Sequence, residues 1–293
     1  MVLSPRVSVI TIFLNEERFL AETIASVQAQ SYTDWELILV DDGSTDASPD
    51  IAARAAASDP RIRVVTHPNR ENRGMSASRN RGVSVSRGEF VAFIDGDDDW
   101  LPEKLAEQVA ILDQVPEADM VYGRTLFWYS WDPAATHDDH FQTLGVTPDR
   151  LHAPPSLFRL LMENRAQPPT TNNAIMRRTL IDRVGGFEDA FRTMFEDQVF
   201  YAKTHLVASI WVANRVWARY RKHEASCTAR TPVAQEIAAQ LRYLDWVAAY
   251  LRRTRPGAWP LQLAVLKGRL ICRLRPIRAR IGRLLGRKAP GER

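Results

Sequence analysis

The stretch "EFVAFIDGDDDWLPEKL", Glu89 to Leu105, decides how this chain is read, because an apolar run of strand length ends in four aspartates within five positions. The run predicts a buried strand. Pro102, followed by Leu105, Val109 and Leu112 on one face, predicts a helix directly after the acids. The same unit recurs toward the N-terminus. Val7 to Phe13 reads as a strand, with Leu20, Ile24 and Val27 at helical spacing behind it; Trp35 to Val40 is the next strand. It closes on "DDGSTD", turn chemistry that leads into a helix near Pro49 to Ala57, and Ile62 to Thr66 makes a third strand. Strand followed by helix, repeated, predicts an α/β fold: a Rossmann-like, mostly parallel sheet flanked by helices.

Sheets of that kind bind ligands beyond the carboxyl ends of their strands. The polar segments Leu14 to Glu17, Asp41 to Asp46 and Asp95 to Asp99 therefore share one edge. No GxGxxG follows the first strand and no GxxxxGK[ST] occurs, so the dinucleotide and P-loop fingerprints are missing. Clustered carboxylates repel, and need solvent, a helix N-terminus or a cation. Asp98 and Asp99 suit the first turn of the helix opening at Pro102. Asp95 and Asp97 flank Gly96 at the strand end, where both carboxylates can reach one point. With no His or Cys nearby in sequence, that pair suits a hard cation, Mg2+ or Mn2+, that also binds phosphate.

The two cysteines, Cys227 and Cys272, lie far apart and read as small buried hydrophobes. No apolar run approaches the roughly 20 residues of a spanning helix. "VSVITIFL" is followed by Asn15, Glu16 and Glu17 where a signal peptide would have its cleavage site, so it reads as a strand and the chain as cytoplasmic. The net charge of +4 conceals an asymmetry, with 13 Lys and Arg against one acid from Arg252 to Arg293. From Pro232 the pattern is helical. Ile237, Leu241, Leu244 and Leu251 mark one stripe; Leu263, Leu266, Leu270 and Leu274 mark another; Ile277, Ile281 and Leu284 follow Pro276. Leucines beside Arg269, Arg273, Arg275, Arg278, Arg280, Arg283 and Arg287 read as helices lying on an anionic membrane surface. The rival reading packs them on the catalytic body or on a second copy in a homodimer. Nucleic acid is not expected, since no basic platform with interleaved aromatics occurs.

Four segments, "VSVITIFLNEERFLAETIASVQAQSYTDWELILVDDGSTD", "ENRGMSASRNRGVSVSRGEFVAFIDGDDDWLPEKL", "GGFEDAFRTMFEDQVFYAK" and "YRKHEASCT", stand in the order and rough spacing of family 2 inverting glycosyltransferases of the GT-A type. The chain resembles that family from about Val7 to Thr228. The resemblance implies a GT-A catalytic domain at 1–230, with a nucleotide-sugar half at 1–125 and an acceptor half at 126–230, before a helical extension at 231–293. It implies nucleotide contacts from Thr11, Asn15, Glu17, Asp41, Asp42, Arg79, Asn80 and Asp95, and leaves open which of Asp41 and Asp42 faces the base. Arg73 is a further diphosphate candidate, and Arg81 is expected in solvent. Asp97 matches the metal-binding acid, with Asp95 as its partner and Arg221 and His223 as phosphate or metal contacts. The acid pair at Glu196 and Asp197 implies a general base at Asp197, with Glu196 holding the acceptor or orienting Asp197.

Between the acid clusters, Trp128, Tyr129 and Trp131 could stack on sugars or belong to a half-buried strand, Thr170 to Arg178 reads as a strand whose polar mouth could touch donor sugar or acceptor, and "HDDH" at His137 to His140 reads as loop. The expected reaction is inverting transfer from a nucleotide-diphosphate sugar, a UDP-sugar, to a glycan or lipid-linked acceptor at the inner face of the cell membrane. A polyprenyl-phosphate sugar synthase and a catalytically silent nucleotide-sugar-binding module are the rivals.

Overall fold

The computed structural model describes residues 4–141, 143–163, 165 and 169–284. The N-terminal half alternates β1 (Val7–Phe13), α1 (Leu20–Gln28), β2 (Trp35–Asp41), α2 (Ser48–Ser58), β3 (Ile62–Thr66), α3 (Met75–Val85) and β4 (Phe90–Asp95). β5 (Asp99–Trp100), α4 (Lys104–Gln114) and β6 (Met120–Trp128) lead into the second half. There β7 (His140–Phe141), β8 (Arg150–His152), α5 (Ser156–Met162), β9 (Ile175–Arg177), α6 (Arg178–Val184), α7 (Glu196–Val207) and β10 (Ile210–Arg221) follow. The chain continues through α8 (Cys227–Arg230), α9 (Val233–Thr254) and α10 (Trp259–Leu284).

One mixed sheet carries everything, in the order β3-β2-β1-β4-β9-β6-β10-β5, with β7 on β6 and β8 on β10. The first four strands are parallel, as the repeated strand and helix pattern requires. β9 enters antiparallel between β4 and β6, and so joins the two halves through backbone hydrogen bonds. Strand order reverses at β1, with β2 on one side and β4 on the other, which opens the ligand crevice at their carboxyl ends.

The sheet is covered on both faces, which is why its first strands are apolar at almost every position. Val9, Leu37, Leu39, Ala92 and Ile94 pack against Leu20, Ile24 and Val27 of α1 and Leu105, Val109 and Leu112 of α4. Ile10, Ile38, Val40, Val91 and Phe93 pack on the other face with Leu180, Ile181, Phe187 and Phe200. A third cluster joins Phe158, Phe191, Val199 and Leu206 to Tyr243, Leu244, Val247, Leu251, Leu261 and Val265. The C-terminal helices thus dock on the body through α7 and α5.

Several expectations change. Asp98 and Asp99 do not form a first helical turn, because α4 begins only at Lys104. Asp98 is buried between the Arg221 amide (2.9 Å) and Asn172 Nδ2 (2.7 Å), and Asp99 pairs with β10 and with Arg219 at 3.2 Å. The Thr170 to Arg178 strand divides into a 3-10 turn at Thr171–Asn173 and the short β9. Pro276 does not interrupt the last helix, which runs unbroken from Trp259 to Leu284. The stripe on α9 is core through Leu244 and Leu251, whereas that on α10 faces out: Leu263, Leu266 and Leu270 are exposed, and Leu261, Ala264, Val265 and Cys272 are the buried side. The burial expected of Cys227 and the side chains from Pro276 onward lie outside the described residues.

Candidate active site

β4 ends at Asp95 and turns at once through Gly96. The tightness of that turn comes from packing on β1: the Gly96 amide donates to Ile12 O at 3.2 Å, and a Cβ there would stand 3.0 Å from Phe13 Cβ. Small size at this position therefore serves the strand contact, whatever ligand approaches. The turn throws Asp95 and Asp97 to the mouth of the crevice, each with about a fifth of its side chain exposed.

Arg79, from the middle of α3, lies beneath them with 1 % of its surface exposed. Its Nη2 donates to Asp95 Oδ1 at 2.7 Å and its Nη1 to Glu196 Oε1 at 2.8 Å. One buried guanidinium thus bridges two acids 101 positions apart in sequence (95 and 196) and draws the N-terminus of α7 against the end of β4. Burial opposes the guanidinium's charge, and Asp95 and Glu196 more than restore it. Burial, reinforced by Asp197, pushes the Glu196 carboxyl up to about 7 despite Arg79. Asp197, half-buried beside it in the first turn of α7, is raised by burial and partly held down by Arg79 and by the Gln198 amide, which donates to its Oδ1 at 2.7 Å. A carboxylate raised toward neutrality while still reachable is suited to taking a proton.

Asp95 Oδ2 accepts from Thr171 Oγ1 at 2.9 Å. Asp97 Oδ2 meets His223 Nε2 at 2.9 Å, and His223 Nδ1 is buried without a partner. His223 therefore belongs to the acid cluster. Arg221 does not open to a ligand: its Nε donates to Asp97 O at 2.8 Å and its Nη2 to Glu22 at 2.7 Å. Its guanidinium sits over Phe19, Trp128 and Trp131 at 4.6, 4.7 and 5.3 Å. Trp128 and Trp131 are committed to that cage, and Trp131 Nε1 is bonded to Lys222 O; the half-buried strand holds for Trp128, which closes β6, whereas Trp131 lies in the turn beyond it. Tyr129 stacks on His137 and His140, and Asp139 pins the Tyr129 and Ser130 amides, so His137 to Asp139 shape a loop, while His140 departs from that reading by opening β7 against Phe127.

The nucleotide candidates fall into two groups. Asp41 ends β2 buried, with Oδ1 accepting the Ser44 amide and Oδ2 lacking a hydrogen bond. Asp42 is consumed by the backbone: it accepts the Arg73 amide at 2.7 Å and the Gly74 amide at 3.0 Å. Asn15 Oδ1 accepts the Thr45 amide and Glu17 Oε2 the Ala47 amide, which stitches the β1–α1 loop to the β2–α2 loop. Thr11 is wholly enclosed, two residues short of the end of β1, with its hydroxyl unpaired. Asn80 points away from the cluster, clamping Phe187 through its amide (2.8 Å) and carbonyl (2.9 Å) and meeting Asp189. Arg73 pairs with Glu71, and Arg81 is exposed as expected.

Sequence reasoning placed one member of the site only broadly and passed over another. Thr171 lay at the polar mouth of a segment read as strand and expected near donor or acceptor, without its bond to Asp95 being foreseen. Glu16 was hidden between Asn15 and Glu17; burial, then Asp97 and Asp95, push its carboxyl up to about 8, and Gly96 packs toward its Cγ. An acid following the first strand, on the edge that carries the other acids, was the available signal.

A family model, "Glycosyl transferase family 2", matches residues 8–185, and the chain belongs to that family. EpsH of Bacillus subtilis (strain 168), named as a glycosyltransferase, is 30% identical over 237 residues, 78% of this chain and 64% of that protein. TuaG of the same organism, named as a teichuronic acid biosynthesis glycosyltransferase, is 41% identical over 108 residues, 37% of this chain and 42% of its own. The matched stretches thus span less than two thirds of these relatives. Among solved structures, S. aureus TarS 1-349 in complex with UDP-GlcNAc superposes with a TM-score of 0.71 at 19% identity, covering 92% of this chain and 72% of that one. The mannosyltransferase PcManGT from Pyrobaculum calidifontis, in complex with GDP-Man and Mn2+, gives 0.61 at 20% identity, covering 92% and 70%. These likenesses establish the GT-A fold.

Proposed function

We propose that this protein is an inverting glycosyltransferase that moves a sugar from a nucleotide-diphosphate donor, a UDP-sugar, to a glycan or lipid-linked acceptor. The observation that carries the reading is Arg79, whose two arms hold the strand-end acid Asp95 and the helix-start acid Glu196 at one point. A single displacement needs a leaving-group site and a proton acceptor on opposite sides of one sugar carbon, and the Arg79 bridge brings two candidate groups for those tasks together.

In this reading Asp41, whose Oδ2 makes no hydrogen bond and has Arg70 Nη2 3.7 Å away, takes the base, and Asn15 and Glu17 shape the loop around it. Asp42 and Asn80 hold backbone in place. Among the described residues no three acids or histidines are grouped to hold a metal ion, and both Asp95 oxygens are bonded to Arg79 and Thr171. The residues that would hold Mg2+ or Mn2+ are Asp97, with His223 against it at 2.9 Å, and Asp95 once freed from its partners, and the remaining oxygens would come from the diphosphate. Such an ion supplies charge neutralisation for the departing nucleoside diphosphate. Asp197 receives the acceptor's proton, and Glu196, fixed by Arg79, keeps the turn in place. The neighbour with UDP-GlcNAc supports a UDP-sugar donor and the neighbour with GDP-Man and Mn2+ supports the metal.

For location, no helix among the described residues is long and apolar enough to cross a membrane. α10 nevertheless presents Trp259, Leu263, Leu266 and Leu270 on one exposed face, with Arg252, Lys267 and Arg273 in solvent beside it. That face supports peripheral binding to an anionic membrane. Calorimetry with UDP, with and without Mn2+, followed by turnover of a panel of UDP-sugars and GDP-mannose, tests the reading. Metal-dependent UDP binding lost in Asp97→Ala, and turnover lost in Asp197→Asn with binding intact, are expected. Full turnover in Asp197→Asn would reject the assignment of the base.

A further inference from the structure

The catalytic turn is strained, and what holds it comes from the C-terminal extension. Phe195, immediately before Glu196 and Asp197, sits in the left-handed region at φ 65, ψ 11. A non-glycine residue there is strained, and persists only where its surroundings enforce it. Its aromatic neighbour across the third core cluster is Tyr243 of α9, stacked on it with centroids 5.6 Å apart and planes 13° from parallel. Tyr243 is 4 % exposed, yet its hydroxyl has no hydrogen-bond partner among the described residues. A buried, unpaired hydroxyl is a second local cost. The stacking places Tyr243 against the residue two before Asp197, and burial, with the charge of Asp197 added to it, raises its phenol. The ring alone would be served as well by phenylalanine, without the second cost. α9 also lies beyond residues 8–185, the stretch that the family model covers.

We propose that Tyr243 is a positioning residue of the active site, supplied by α9: its ring fixes Phe195 and hence the direction of the Glu196–Asp197 turn, and its hydroxyl donates to the Asp197 carboxylate during turnover. This rests on Asp197 being the base. Tyr243 keeps its own proton; the acceptor's O–H bond breaks, its proton passes to Asp197, and the acceptor oxygen forms the bond to the anomeric carbon as the nucleoside diphosphate leaves with the old bond's electrons. A hydrogen bond from Tyr243 keeps Asp197 ionised and aimed, although burial works against its charge.

Tyr243→Phe, Tyr243→Leu and Asp197→Asn in the full chain test this. The readouts are the melting temperature, UDP affinity in Mn2+, and the rate of UDP release from whichever sugar nucleotide of the panel the wild type turns over. A purely structural tyrosine predicts that Tyr243→Phe melts at or above the wild type and keeps its rate. The proposal predicts the same or higher melting temperature and the same UDP affinity, with kcat down about tenfold or more. Tyr243→Leu loses both stability and rate. Wild-type kcat in Tyr243→Phe, or a rate loss that only follows a lowered melting temperature, overturns the proposal. Full rate in Asp197→Asn with a slow Tyr243→Phe overturns the base and leaves the tyrosine acting elsewhere. A wild type that turns over no sugar nucleotide removes both readings.

Discussion

Replacing Arg79 by methionine keeps most of the side chain's length and apolar volume and removes the charge. In the native protein its guanidinium, 1 % exposed, makes bonds of 2.7 and 2.8 Å to two acids. Taking one partner out of a buried ionic network costs about 3–5 kcal/mol, because the remaining charges are left without compensation. At the low end of the usual conversion for larger domains, about 2 °C per kcal/mol, Arg79→Met should melt about 6–10 °C below the wild type at pH 8. The deficit carries a pH signature. Glu196 is raised from an ordinary value of 4.5 to about 7 even with Arg79 present. Without the cation its folded value rises further, so the folded variant binds a proton that the unfolded chain releases above that ordinary value. Stability lost at pH 8 is therefore recovered as the pH falls toward 5, where Glu196 is neutral in the fold. Thermal melting of both proteins at pH 5 and pH 8 reads this directly. Equal melting at pH 8, or a deficit of the same size at both values, would refute the bridge as the element that joins the two halves of the site. Arg79→Lys should rescue little, since one ammonium cannot span both carboxylates.

Asp41→Asn should weaken UDP binding about tenfold with little change in melting, whereas Asp42→Asn, which disturbs two backbone amide bonds, should cost about 1–3 kcal/mol of stability; calorimetry and melting that give the reverse pattern would exchange their roles. Glu16 binds its proton up to about pH 8 in the fold and releases it near 4.5 when unfolded, so native stability falls as the pH rises through that window. The melting temperature of Glu16→Gln relative to wild type should therefore climb between pH 5 and pH 9, and a constant difference would argue against it. Sedimentation with phosphatidylglycerol vesicles should fall sharply in a Leu263→Asp, Leu266→Asp double variant at low salt, and unchanged sedimentation would remove the membrane role of α10.

How much of this could be read beforehand varies by element. β1 to β4 were legible because strands buried on both faces must be apolar nearly throughout, and helices between them must carry one apolar stripe. The acids at their ends were legible for the same reason: a parallel sheet gathers its carboxyl ends on one edge. Asp41 and Asp42 were not separable, since neighbouring aspartates in a turn look alike until the Arg73 and Gly74 amides are seen on one of them. Asn80 stood beside Arg79 in a polar segment, yet on the helix the two side chains diverge, one to the acids and one to the Phe187 loop. The leucine stripe of α10 was visible, but periodicity says only that an apolar face exists and not which face finds a partner.

Composition and spacing by themselves determined a parallel α/β core, its charged edge and a basic helical tail, because each follows from local rules of burial and periodicity. Only the folded chain decided that Arg79 ties Asp95 to Glu196, that Arg221 is caged by aromatics and that Tyr243 of α9 stacks on Phe195, the residue before Glu196. Those are contacts between residues far apart in sequence, and their geometry is set by how strands and helices pack, which no local pattern encodes.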